Sequence, residues 1–242
     1  MDDERDAGSV ALEFALLDAS GPADDAPRNF RRVFDVDLTR FEAPAGERPA
    51  VDAVDAAVIS GSWASTYWDR DWITDLKAWV REAEAAGLPV LGVCFGHQVL
   101  AEALGGTVVG RDDYELGYHP VRHAADAPLF AGVPRTVTAF AAHSDDVVDL
   151  PLGARKLAEN DHSLHAFRRG RVVGVQFHAE FDLATAEAVV AGRDADEERT
   201  PDAAETLTPA NAARAEATTA VFENFTAFVR DLRRGPDDGD GR

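Results

Sequence analysis

The stretch VLGVCFGHQVLAEALGG, Val90–Gly106, constrains the fold most because it joins a buried strand to a helix through a sharp turn. The apolar run PVLGV predicts a short strand, and the pattern from Gln98 onward predicts a helix that ends at a glycine pair. Cys94, the one cysteine of the chain, lies between Gly92 and Gly96. This G-x-Cys-x-G pattern is typical of a nucleophile elbow, in which small residues on both sides make room for a strained turn.

A cysteine at this position has two interpretations. Buried cysteines that serve only packing are common in proteins. At an elbow, however, the sulfur stands above the carboxyl edge of a sheet, where open α/β folds bind ligands. The helix that begins near Gly96 also directs its positive N-terminal end at the sulfur, which favours the thiolate. We therefore expect Cys94 to act as a nucleophile.

Strand-like and helix-like segments alternate along the first half of the chain, and no internal repeat is present. Val10–Leu17 and Val54–Ser62 predict strands, and the helical spacing that opens at Asp69 and Asp71 ends at Gly87. This order predicts the α/β class, as an open, mostly parallel sheet with helices on both faces.

The second half of the chain is richer in strands. Six short β-like runs are separated by turn residues, and the last run ends at His178. A helix is expected near Leu183, and the spacing over residues 217–232 predicts another. The charged, proline-containing segment 191–214 is expected to be a mobile insertion, and the Gly/Pro/Asp-rich segment 18–29 a turn or loop.

No linker divides the chain clearly. We therefore expect a single domain over residues 8–234, followed by a disordered acidic tail at residues 235–242. One cysteine cannot form an internal disulfide, and it does not suggest a cysteine metal cluster. The apolar runs are too short for a membrane helix, and the acidic N-terminus does not resemble a secretory signal. These features favour a cytoplasmic protein.

The net charge is −20 at pH 7, and the acidic residues are dispersed along the chain. Nucleic-acid phosphate and anionic membranes would be repelled, so we expect neither as a partner. Lys77 and Lys156 are the only lysines. Dispersed acidic residues with few lysines resemble the proteins of salt-loving organisms, and an ordinary acidic soluble protein is the alternative.

A thiolate nucleophile needs a base, and the base needs a group that orients it. Most of the seven histidines lie in polar contexts, where we expect solvated side chains, but His178 ends an apolar strand. Glu180, two residues later, can accept a hydrogen bond from the imidazole. A histidine at a strand end is more often structural. The His-x-Glu spacing in a chain with an elbow cysteine nevertheless predicts a catalytic pair.

The motifs GVCFGHQ and GVQFHAE resemble those of the class I glutamine amidotransferases, G-[IV]-C-x-G-H-Q and Q-F-H-P-E. Supporting matches are VISGS, the segment 132–160 and the EFD that follows the second motif. The resemblance covers about residues 54–182, is strongest to stand-alone GMP-synthase-like amidotransferases, and implies their flavodoxin-like fold. Ala179 stands where the family usually has proline, and neither side chain takes a proton.

The resemblance implies hydrolysis of the glutamine side-chain amide to glutamate and ammonia. In that reaction Cys94 attacks the amide, His178 transfers the proton, and Glu180 holds His178. The family's oxyanion hole corresponds to the backbone amides of Gly61 and Phe95. Its substrate-binding positions correspond to Gln98, Ser144 and Asp145. The resemblance implies that Ser144 and Asp145 contact the substrate mainly through backbone atoms. A solvated helix residue is the alternative for Gln98.

The sequence does not identify an acceptor for the ammonia, because it contains no P-loop and no other phosphate-binding glycine run. Three functions stay open. The chain is a glutaminase subunit for a separate synthase, a stand-alone γ-glutamyl peptidase or hydrolase with the same triad, or a non-catalytic regulatory protein on this fold. We expect glutamine or a γ-glutamyl compound as substrate, a separate synthase as the candidate partner, and no cofactor or metal.

Overall fold

The computed structural model describes residues 11–20, 25–192 and 200–235. The strands in these ranges are β1 Glu13–Asp18, β2 Asp37–Glu42, β3 Ala56–Ile59, β4 Val90–Val93, β5 Thr107–His123, β6 Thr136–Asp149, β7 Arg155–Glu159, β8 Leu164–Arg169 and β9 Val172–Val175. The α-helices are α1 Ala26–Val33, α2 Asp71–Ala85, α3 Phe95–Ala103, α4 Leu183–Ala191, α5 Thr200–Thr206, α6 Pro209–Ala215 and α7 Ala220–Arg234. None of the described helices is long and apolar enough to cross a membrane.

All nine strands belong to one sheet, in the order β2-β1-β3-β4-β9-β8-β7-β5-β6. The first five strands of this order are parallel, and the pairings from β9 to β6 are antiparallel. The parallel part has the 2-1-3-4-5 order of flavodoxin-like folds, with β9 as its fifth strand. The predicted α/β fold with an open sheet is therefore confirmed, and the antiparallel extension accounts for the strand-rich second half of the sequence.

Helices cover both faces of the parallel strands. Phe14 and Leu16 of β1 face a core that includes Phe30 of α1 and Phe222 of α7. The alternate residues of the same strand face α2 and α3. Because successive side chains of a strand point to opposite faces, a strand buried on both sides reads as a continuous apolar run. This is why β1, β3, β4 and β9 could be predicted from the sequence.

Several element predictions need correction. The predicted loop at residues 18–29 contains the first half of α1, and the following β2 was not predicted. The last strand, β9, ends at Val175, three residues before His178. Two predicted short strands are parts of the single long β5.

The predicted mobile insertion is wrong for most of residues 200–214, because α5 and α6 lie there. The Thr208 hydroxyl accepts a hydrogen bond from the backbone N–H of Asn211 and so caps α6. Pro209 occupies the first turn of this helix. The part of the insertion at residues 193–199 and the predicted tail beyond Gly235 lie outside the described residues.

Candidate active site

The structure contains the elbow that the glycine spacing predicts. Cys94 joins β4 to α3 with φ 52° and ψ −107°, and among the described residues it is the one non-glycine with a positive φ. A Cβ on Gly92 would lie 2.4 Å from the Gly96 carbonyl oxygen, and a Cβ on Gly96 would lie 2.3 Å from the Ile59 oxygen. Strain of this kind persists where the surrounding structure enforces it, and it occurs preferentially at functional sites.

The segment after β9 brings His178 and Glu180 to the same sheet edge as Cys94. His178 Nδ1 lies 2.7 Å from Glu180 Oε1, and the His178 ring stacks on Phe181 with centroids 4.1 Å apart. Cys94 and His178 both lie against Gly61, where a Cβ would come within 2.9 Å of His178 Cε1 and 3.7 Å of Cys94 Cβ. All three side chains of the Cys-His-Glu set are buried, and the imidazole is held by the carboxylate.

Electrostatics favour the ionised forms of this set. Burial alone would raise the pKa of the Cys94 thiol, but the charge and hydrogen bond of His178 outweigh it and lower the pKa. Burial would likewise lower the pKa of His178, but the charges of Glu180 and Cys94 raise it instead. The N-terminal end of α3 adds a partial positive charge at the sulfur. These interactions favour a thiolate–imidazolium pair over the neutral thiol and imidazole.

The antiparallel part of the sheet also reaches this site. The backbone N–H of His178 donates to the Phe140 carbonyl at 2.8 Å, and the Ala142 carbonyl oxygen lies 4.0 Å from the Cys94 sulfur. Both carbonyls belong to β6, which is one of the two edge strands of the sheet. The 140–145 part of β6 therefore packs against Cys94 and His178.

Backbone amides are available near the sulfur. Phe95 is the first residue of α3, and the first amides of a helix have no carbonyl partner within the helix. Gly61 follows β3 closely, and a Cβ there would lie 2.9 Å from His178 Cε1 and 3.7 Å from Cys94 Cβ. Gly61 thus lies against Cys94 and His178, and a side chain there would have to displace the His178 ring.

The three predicted substrate-binding residues lie in the first turn of α3 and in β6. The amide nitrogen of Gln98 donates to the Asp145 carbonyl at 2.8 Å and lies 3.2 Å from Gln176 Oε1. Gln98 is buried rather than solvated. Asp145 accepts a hydrogen bond from the Tyr67 hydroxyl, and Ser144 is half-buried. Gln98 therefore connects the first turn of α3 to β6.

A cavity of about 550 Å³ opens above Cys94. Its lining includes Cys94, His178, Gly61 and Trp63, together with residues of α1 and α4. Gln98, Ser144 and Asp145 are not among the described residues that line it. The volume lies within the ~300–1,000 Å³ range of small-molecule pockets.

Buried histidines are more frequent than the sequence suggested. The prediction of solvated side chains is wrong for four of them, which are less than one-tenth exposed: His97, His123, His143 and His165. Ligand atoms of Glu115, His143 and His165 lie within 4.8 Å of one another, a spacing that a metal ion could bridge. The contact between Glu115 and His143 joins residues 28 positions apart, so no local sequence pattern indicated it.

The model of the glutamine amidotransferase class-I family matches residues 28–193. The GMP synthase of Thermomicrobium roseum is 40% identical over 124 residues, which are 51% of this chain and 23% of that protein. The GMP synthase of Aquifex aeolicus is 33% identical over 126 residues, or 24% of its length. The chain therefore matches about a quarter of the length of these relatives.

Solved structures share the fold at lower identity. A glutamine amidotransferase from Thermotoga maritima superimposes with a TM-score of 0.75 at 22% identity, covering 88% of this chain and 98% of that one. A glutamine amidotransferase from Methylobacillus flagellatus gives a TM-score of 0.74 at 17% identity, covering 90% and 94%. The chain belongs to the class I glutamine amidotransferase family. The expectation of an enzyme of the glutamine amidotransferase type is confirmed at the level of this family.

Proposed function

We propose that this chain hydrolyses the side-chain amide of glutamine to glutamate and ammonia, with Cys94, His178 and Glu180 as its catalytic residues. The observation that carries the proposal is the strained elbow cysteine beside a buried His–Glu pair, with the 2.7 Å contact from His178 Nδ1 to Glu180 Oε1. That contact leaves His178 Nε2 for the sulfur. The non-catalytic alternative has no use for a strained backbone at a residue with a lowered pKa.

In the first half of the reaction, the Cys94 thiolate attacks the carbonyl carbon of the side-chain amide. The negative charge that develops on the carbonyl oxygen is stabilised by the amides of Phe95 and Gly61. The His178 imidazolium then donates its proton to the amide nitrogen, and the C–N bond breaks. Ammonia leaves, and the acyl group stays on the sulfur as a thioester.

In the second half, a water molecule attacks the thioester carbon while His178 accepts one of its protons. The C–S bond breaks, glutamate leaves, and the thiolate–imidazolium pair forms again. Glu180 keeps Nδ1–H of His178 in place through both halves and stabilises the cation, as the carboxylate of a catalytic triad does. In the proposal, Gln98, Ser144 and Asp145 shape the substrate site, Gln98 through its bond to the Asp145 carbonyl.

We also propose that the ammonia is used by a separate synthase. The relatives named above are GMP synthases, and the chain matches only about a quarter of their length. A γ-glutamyl peptidase or hydrolase is the second candidate, because the 550 Å³ cavity extends beyond Cys94 to α1 and α4. That extension offers room for a group attached to the amide nitrogen.

Ammonia release and γ-glutamyl dipeptide cleavage, assayed side by side in molar salt, separate these candidates. Hydrolysis of glutamine that rises when a synthase is added favours the glutaminase of a two-protein synthase. Rapid unassisted cleavage of the dipeptide favours the hydrolase. Cys94→Ala is expected to abolish either activity while the circular dichroism spectrum stays that of the wild type. Turnover within about tenfold of the wild type, or ~1.4 kcal/mol of barrier, would refute the cysteine mechanism.

A further inference from the structure

Glu115 lies in β5 directly opposite His143 in β6. Two steps along β6, from Asp145 to His143, correspond to five steps along β5, from Gly110 to Glu115. β5 therefore bulges by three residues, and bulges commonly re-aim a side chain next to an active site. The carboxylate that follows the bulge is only 6% exposed, so it needs partners inside the protein.

The Glu115 carboxylate has a full set of neighbours. Its Oε2 lies 3.1 Å from His143 Nε2 and 3.2 Å from the Ser163 hydroxyl, which donates to it. The amide nitrogen of Asn160 donates to Oε1. His165 Nε2 lies 3.2 Å from Oε2 without hydrogen-bond geometry. Three hydrogen bonds therefore hold the carboxylate, out of the about four that a carboxylate can accept.

His143 is engaged at both ring nitrogens. Besides the contact with Glu115, its Nδ1 lies 3.3 Å from Asp146 Oδ1 and 3.2 Å from the Asp145 carbonyl oxygen. The guanidinium of Arg111 contacts the other oxygen of Asp146 at 2.6 Å. Two carboxylates thus face one guanidinium and one imidazole. The charges of these four groups balance when that imidazole is protonated.

The surrounding charges hold His143 as a cation. Burial alone would lower its pKa, but hydrogen bonds to Asp146 and Glu115 raise the pKa to about 9. Burial lowers the pKa of His165 and lowers that of His97 to about 3, so both neighbours stay neutral. His143 is therefore the charged histidine of this cluster at neutral pH, and its charge contributes to the lowered pKa of the Cys94 thiol, after that of His178.

The backbone on both sides of His143 contacts the elbow. The preceding carbonyl, of Ala142, lies 4.0 Å from the Cys94 sulfur. Two residues after His143, the Asp145 carbonyl accepts the bond from Gln98 in the first turn of α3. A change in the Glu115–His143 contact therefore acts on the β6 segment that touches the nucleophile.

We propose that the buried Glu115–His143 pair is a positioning device for the nucleophile, which fixes the 140–145 segment of β6 against the elbow and places a second positive charge near Cys94. Neither residue exchanges a proton with the substrate, a role that stays with His178. This positioning role rests on the proposed nucleophilic function of Cys94, but its effect on the thiol is measurable without any substrate.

Alkylation of the single cysteine tests the proposal. Because the chain contains no other cysteine, the rate of reaction with iodoacetamide as a function of pH reports the pKa of the Cys94 thiol alone. Glu115→Gln keeps the size of the side chain but removes one of the two carboxylates that hold His143 as a cation. Because the charge of His143 lowers the pKa of the Cys94 thiol, loss of that cation should raise the thiol pKa by about one unit. The matched control is Glu159→Gln, on the surface of the neighbouring β7, which should leave the pKa unchanged.

The kinetics of glutamine hydrolysis provide a second readout. In Glu115→Gln we expect kcat at pH 7 to fall about tenfold with little change in KM, because the thiolate is depleted and not the bound substrate. Raising the pH should restore much of the rate by regenerating the thiolate. A purely structural defect would not be relieved in this way.

Asp146→Asn removes the other carboxylate partner of His143 and covers the case in which Glu115→Gln does not fold. An unchanged thiol pKa in either folded variant overturns the proposal, as does a wild-type thiol with the ordinary pKa of about 8.5. A wild type that does not hydrolyse glutamine, but whose thiol pKa depends on Glu115, overturns the proposed function and supports this positioning role. Glutamine hydrolysis that needs Cys94 but is unchanged in both variants supports the proposed function and overturns the positioning role.

Discussion

At the scale of single residues, the contact between Glu180 and His178 stabilises the protonated form of the His178 imidazole. Glu180→Gln keeps the size of the side chain but removes the charge that stabilises the imidazolium. We expect kcat for glutamine hydrolysis to fall by about 10²–10⁴-fold, the range seen when the base or its orienting carboxylate is lost. Glu187→Gln, on the exposed side of α4, is the matched control. Steady-state kinetics with a full rate in Glu180→Gln would remove Glu180 from the mechanism.

Alanine substitutions at two glycines are expected to separate an effect on activity from an effect on stability. A methyl group at Gly61 would lie 2.9 Å from His178 Cε1, at the end of a side chain that can move. We expect Gly61→Ala to fold normally but to lose about 10² in kcat/KM, because the imidazole is displaced. Gly96→Ala places its methyl group 2.3 Å from the Ile59 backbone oxygen and should instead lower the melting temperature. A variant pair with the opposite pattern would contradict the proposed position of His178.

The residues of the elbow and of the His-x-Glu motif were predictable because each set is contiguous in sequence. The Glu115–His143 pair was not, because it depends on a bulge that shifts the register of two long strands. The surroundings of Gln98 were missed for a related reason. Its partner is a backbone carbonyl of β6, and the position of that strand follows from the folded sheet.

At the scale of elements, the central strands were predictable because burial on both faces produces continuous apolar runs. The edge strand β2 has an irregular and largely exposed pattern, and therefore lacks that signal. Helix α1 spans only eight residues, and its apolar residues Ala26, Phe30 and Val33 have helical spacing. The Gly/Pro/Asp-rich composition of residues 18–29, which include the start of α1, nevertheless favoured a loop. The short helices α5 and α6 contain few apolar residues, and their composition resembled that of a mobile segment.

Helix α4, which lines the cavity, begins at a charged cap that can be tested by pH. The Asp182 carboxylate accepts bonds from the amide and hydroxyl of Thr185 and contacts Arg28 at 2.7 Å. Burial alone would raise its pKa, but the Thr185 and Arg28 contacts lower it to about 2. Because the pKa in the folded state is below the usual 3.8, the carboxylate stabilises the fold above that value and loses its contribution as the pH falls toward 2.

We therefore expect Asp182→Ala to lower the free energy of unfolding by about 1 kcal/mol at pH 7, the usual cost of losing a helix cap. The difference from the wild type should shrink when urea unfolding is measured at lower pH. Arg28→Gln, which removes the ion pair and keeps the cap, separates the two contributions. A difference that grows on acidification would show that the carboxylate is not ionised in the fold.

At the scale of the whole molecule, the charge is the dominant feature. Forty-four acidic residues face twenty-four lysines and arginines, for a net charge of −20. Some carboxylates have cationic partners, such as Asp18 with Arg40, but the excess is too large for pairing to remove. Self-repulsion among the remaining carboxylates destabilises a compact state, and dissolved salt screens it.

The stability of the fold should therefore depend on salt. The Debye length is about 30 Å at 0.01 M, so the carboxylates repel across much of the molecule, and it shortens to about 3 Å at 1 M. We expect the melting temperature and the hydrolytic rate to rise from dilute buffer to molar KCl, with most of the screening gain below about 0.3 M, where the Debye length shortens fastest. A further rise in melting temperature at molar salt would need stronger apolar burial or cation binding. Melts in sulfate and chloride salts of equal ionic strength distinguish these causes from screening. Thermal melts across a salt series give the answer. A melting temperature that is flat or falls with KCl would make the chain an ordinary acidic protein and would leave the Cys94 assignment untouched.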